Sequence, residues 1–79
     1  MDINLLNKIQ EQIDECYQKY GEYRSQHEFL GVLDEEIFEL KQCIYEKNLD
    51  KKHTEQEIID CIVVLMKGFQ DIIKNNNIL

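Results

Sequence analysis

Glu57-Ile58-Ile59-Asp60-Cys61-Ile62-Val63-Val64-Leu65-Met66-Lys67-Gly68-Phe69 is the stretch on which the fold turns. Ile58, Ile59, Ile62, Leu65, Met66, Phe69 and Ile73 recur at the three- and four-residue spacing of a helix face. A helix facing one core turns polar on its back, yet Cys61, Val63, Val64 and Gly68 keep the central turns apolar nearly all round. That pattern predicts a helix buried on both sides. Three helices cannot surround one of their own number, so the second side is expected to meet another copy of the chain. A bundle built across a two-fold axis follows.

Working outward, this third helix opens at Thr54-Glu55-Gln56-Glu57, a capping-box pattern, and is expected over about 54–75. A second box, Ser25-Gln26-His27-Glu28, opens a helix over about 25–48 whose stripe is Leu30, Leu33, Ile37, Leu40 and Ile44. The first segment, about 2–20, carries Leu6, Ile9, Ile13, Cys16 or Tyr17, and Tyr20 on one face and ends at Gly21. Proline is absent, and the polar stretch Asn48 to His53 separates the last two helices. The fold class is therefore all-α: a single domain, 1–79, of three helices that assembles into an oligomeric helical bundle. The tail Lys74 to Leu79, with its three consecutive asparagines, is expected to fray.

A chain of 79 residues builds only a small core, which again favours self-association as a dimer or tetramer. Cys16, Cys43 and Cys61 are odd in number and lack CxxC spacing, so they read as reduced, small apolar residues of a cytoplasmic protein. A formal charge of −7 disfavours nucleic acid and anionic membrane surfaces alike. A phosphorylated substrate would be repelled unless a cation stood between the two negative partners. Asp2 follows the first Met, and the apolar run Cys61 to Met66 is too short to span a bilayer, so neither a signal peptide nor a membrane segment is expected.

The acids are arranged in pairs. At 100° per residue, Glu36 lies about 80° and Glu39 about 140° from the centre of the second helix's stripe, on a flank shared with Phe29, Val32 and Cys43. Glu57 and Asp60 repeat the i, i+3 spacing on the third helix, and Asp60 is the one polar residue between Ile58 and Met66. A buried carboxylate is unfavourable unless paired, hydrogen-bonded or bound to a cation. Two such pairs on facing helices can surround a hard divalent ion with oxygen ligands, and Mg²⁺ suits them best. A di-iron bundle would need Glu-x-x-His on two helices, which is absent. The plainer readings stand beside this one. Glu57 also serves a capping box, Glu28 and Glu55 suit the helix dipole, His27 and His53 sit at helix starts as capping or surface groups, and Tyr17, Tyr20, Tyr23 and Tyr45 fit core edges as well as base stacking.

Glu35-Glu36-Ile37-Phe38-Glu39-Leu40, followed after residues 40–56 by Glu57-Ile58-Ile59-Asp60-Cys61-Ile62-Val63-Val64-Leu65, resembles the signature of the MazG-like all-α nucleotide pyrophosphohydrolases. The resemblance runs from about Glu28 to Asp71, and Tyr20 to Glu28 looks like the lead-in of short, often phage-borne members. It implies hydrolysis of a nucleoside triphosphate to monophosphate and pyrophosphate. Mg²⁺ or Mn²⁺ would be held by Glu36, Glu39, Glu57 and Asp60, screening phosphate charge and acidifying an attacking water. Glu35 or Glu39 would be the general base. Members usually carry a further helix that supplies phosphate contacts. Here Arg24, Lys41 and Lys67 are the candidates within the chain, and the missing helix is expected from another subunit. The competing expectation is a non-enzymatic helical oligomerisation or protein-interaction module with solvated acids.

Overall fold

A computed structural model describes residues 2–75. Three helices form in order: α1 (Ile3–Tyr20), α2 (Gln26–Tyr45) and α3 (Lys51–Gly68), the last running on into a π-helical turn, Phe69–Lys74. Among the described residues there is no strand, and the helices pack as a small bundle. Of the tail expected to fray, Lys74 closes the π-helical turn and the Asn75 amide donates to the Gln70 carbonyl at 2.9 Å, while residues 76–79 lie outside the described residues.

The helix starts follow local chemistry. Asp2 caps α1 by accepting from the Asn4 amide at 2.9 Å. Ser25 caps α2, its Oγ accepting from the Glu28 amide at 3.1 Å, while the Glu28 carboxylate accepts from the Arg24 amide at 3.2 Å, one residue upstream of the usual box partner. α3 begins earlier than its pattern suggests. Asp50 is the cap, accepting from the His53 amide at 3.1 Å, because an Asp three residues upstream is a strong cap and Lys51 and Lys52 extend a helix readily. Thr54 therefore sits inside the first turn, buried, with its hydroxyl unpartnered. α1 ends at Gly21, whose φ of 73° favours glycine and whose amide donates to the Tyr17 carbonyl. α2 ends at Tyr45 rather than at 48, where Glu46 turns extended.

α3 is the central rod, as its apolar girdle predicts, but both of its covered sides are closed by its own chain. Ile59 and Val63 pack on Ile9 and Ile13 of α1. Val64, with Ile72, packs on Tyr23, Phe29, Val32 and Leu33. The expectation that another copy must cover the second side is corrected: α1 and α2 approach α3 on separate flanks. The approach uses the small residues Cys61, Val63, Val64 and Gly68, over the last of which the Phe29 ring lies. The bulky stripe is left outside, with Leu65 50%, Phe69 59% and Ile73 62% exposed, alongside Leu30 and Ile44 of α2 at 52% each.

A polar knot closes the far end. Asp71, fully buried, accepts from the Tyr17 hydroxyl at 2.6 Å and the Tyr23 amide at 2.8 Å. Lys67, also buried, lies 3.7 Å from Asp71, donates to the Gly21 carbonyl at 2.8 Å and stands over the rings of Tyr17 and Tyr23.

Candidate metal centre

Glu36 and Glu39 project from one flank of α2 because they are one helical turn apart, and the α2–α3 hairpin sets Glu57 opposite them. One carboxylate oxygen from each of the three lies within 4.8 Å of the others. Two carboxylate oxygens of these residues, Glu36 Oε2 and Glu57 Oε2, are buried without a hydrogen-bond partner. The other Glu57 oxygen lies 3.2 Å from His53 Nε2.

Crowding acids in a partly dry groove moves their protonation upward. Burial first, then the charges of Glu39, Asp60, Glu57 and Glu35, raise the Glu36 carboxyl from its ordinary 4.5 to about 7. Glu57 is also pushed up, by burial and then by Glu39 and Asp60, with His53 opposing the shift. An orphaned, desolvated carboxylate pair is a high-energy arrangement that a divalent cation relieves. Octahedral Mg²⁺, with Mg–O near 2.1 Å, sets neighbouring ligand oxygens about 3 Å and opposite ones about 4 Å apart. The three oxygens, within 4.8 Å of one another, would have to close in by a fraction of an ångström or more to reach that span.

The other anticipated residues are dispersed. Asp60 stands outside the triangle, its Oδ1 accepting from Gln12 Nε2 at 2.6 Å and Gln56 Nε2 at 2.8 Å, a clasp between α1 and α3. Gln12 and Gln56 escaped the sequence reading because nothing in helical periodicity pairs residues on separate rods. Glu35 is exposed and lines, with Glu36, Arg24 and Lys67, a cleft of about 540 Å³ that adjoins the triangle through Glu36. Arg24 is exposed and pairs with Glu28 at 3.8 Å, and Lys41 is exposed. Lys67 is the clearest departure from its expected role as a phosphate contact: its ammonium is engaged inside the fold by Gly21 and Asp71. His53 is exposed in the first turn of α3, as read from sequence, and it also touches the site, as does Cys43, whose Sγ lies 3.7 Å from His53 Nδ1.

No family model, curated protein or solved structure matches this chain. No helix among the described residues is long and apolar enough to cross a membrane.

Proposed function

We propose that this chain is a Mg²⁺-dependent nucleoside triphosphate pyrophosphohydrolase of the MazG-like kind, working as a homo-oligomer. The observation that carries the reading is the convergence of Glu36, Glu39 and Glu57 with two buried oxygens lacking partners. These three carboxylates would hold the ion, and Mn²⁺ would serve in its place. When bound, the ion supplies positive charge against the triphosphate and acidifies a water. Glu39, exposed at one corner of the triangle, would be the general base, and Glu35, also exposed, lines the adjoining cleft with Glu36. Asp60 acts as a positioning residue that clasps α1 to the metal-bearing helix. With Lys67 turned inward, phosphate contacts beyond the metal fall to Arg24, at the mouth of the adjoining cleft, and to a neighbouring subunit.

The test is pyrophosphate release from a nucleotide panel with Mg²⁺ or Mn²⁺, alongside melting with and without metal. Activity that drops at least a hundredfold in Glu57→Gln supports the reading; no release from any nucleotide ends the enzymatic part. A second reading, a non-enzymatic oligomerisation module, is favoured by the uncovered stripe on α3. A melting temperature indifferent to Mg²⁺ would select it, since a ligand that binds only the folded chain must stabilise it.

A further inference from the structure

Beside the acid triangle, the α2–α3 groove has a second rung of different chemistry. Cys43 is one turn past Glu39 on α2, and His53 one turn before Glu57 on α3, so two i, i+4 pairs face each other across the groove. Cys43 is buried, its Sγ 3.7 Å from His53 Nδ1, and His53 Nε2 is 3.2 Å from Glu57 Oε1. Both line a cleft of about 860 Å³ that also carries Glu39, Glu46 and Asp50. Thr54 opens onto the same cleft; it is 6% exposed and its hydroxyl has no partner.

We propose that Cys43 and His53 form a binding site for a borderline or soft divalent cation of the Zn²⁺ class, distinct from the hard-ion triangle. A tetrahedral Zn²⁺ with Zn–S near 2.3 Å and Zn–N near 2.05 Å has a sulfur-to-nitrogen edge of about 3.6 Å. The observed separation matches it. A histidine that ligates through one nitrogen commonly donates its other N–H to a carboxylate, which is the placement of Glu57. With Glu57 ionised, that contact would put the proton on Nε2 and leave the Nδ1 lone pair facing the thiol. Binding replaces the thiol proton: the Cys43 S–H bond breaks, the S–Zn bond forms, and the proton leaves to solvent. Among the described residues no third Cys, His, Asp or Glu donor stands within 4.8 Å of both, so the remaining positions would be filled by waters and by the exposed Glu46 carboxylate swinging in from the cleft wall. Without metal the same surroundings silence the thiol. Burial, then the charges of Glu57, Glu46, Asp50 and Glu39, push its pKa up and disfavour the thiolate.

The reduced full chain should be titrated with Co²⁺, a spectroscopic stand-in for Zn²⁺, and then with Zn²⁺ to displace it. A thiolate-to-cobalt charge-transfer band in the near ultraviolet is expected, abolished by Zn²⁺, by Cys43→Ser and by His53→Gln. The band should survive in Cys16→Ser, Cys61→Ser and Glu36→Gln. His53 is largely exposed, so its variant keeps the test alive if Cys43→Ser folds poorly by circular dichroism. No band, a band retained in Cys43→Ser, or one lost in Cys61→Ser overturns the proposal. Because the readout is thiolate coordination, it stands or falls separately from nucleotide hydrolysis.

Discussion

At the residue scale, the firmest point in the molecule is Asp71. It is a carboxylate with no solvent contact, held by a phenol, an amide and an ammonium contributed from α1, the α1–α2 link and α3. Burial and the Asp71 hydrogen bond push the Tyr17 phenol pKa up, so it stays a donor. Asp71→Ala removes one partner from a buried charged set and should cost about 3–5 kcal/mol. For a chain this small that is most of its stability, and urea melts followed by circular dichroism would read it; a change below about 1 kcal/mol would sink the idea. Glu36 works in the opposite sense. Its folded-state pKa of about 7 lies above the ordinary 4.5, so the stability it contributes is full below about 4.5 and is lost as pH rises through 7. Glu36→Gln should therefore match the parent near pH 5 and exceed it at pH 8, by on the order of 1–2 kcal/mol after allowance for its partial exposure. Saturating Mg²⁺ should close that gap by stabilising the parent alone. A difference that does not vary with pH would contradict the crowded-acid picture.

At the scale of elements, the α2–α3 hairpin carries the proposed site, and its close approach depends on small side chains. A methyl group added at Gly68 would fall on the Phe29 ring. Gly68→Ala should gain helix propensity yet still destabilise by about 1–3 kcal/mol, since overpacking outweighs propensity here. Pairing it with Phe29→Leu should recover part of the loss; a fully additive double mutant in thermal melts would mean that the ring is not the obstacle. Element boundaries were legible where a cap was unambiguous, as at Ser25 and Gly21. They were not at Thr54, because Asp50 offers a second cap one turn upstream and the choice depends on what α3 packs against.

At the scale of the whole molecule, the chain leaves its largest apolar residues uncovered. Leu65, Phe69 and Ile73 of α3 and its extension, and Leu30 and Ile44 of α2, are half or more exposed. The helical phases of the two antiparallel rods put both stripes on the same side of the hairpin. An apolar face of this kind is the candidate surface for the proposed self-association. Phe69→Lys with Leu65→Lys should convert the chain to monomer in sedimentation velocity while preserving its helical circular dichroism. A parent chain that already sediments as a monomer at micromolar concentration would refute self-association through this face.

Sequence alone determined that the chain is three helices, that α3 is covered on two sides, and that Glu36 and Glu39 share one flank of α2. Each of these depends on spacing along one rod and on caps of a few residues, which are local properties. Only the tertiary structure decided which face of α3 is inside, that Asp60 is clasped by Gln12 and Gln56, that Lys67 is turned inward to Asp71, and that His53 reaches Cys43 and Glu57. Those outcomes depend on the rotation of one rod against another. Helical periodicity fixes the angles between side chains on a rod but leaves that rotation free, and packing of the small residues on α3 sets it.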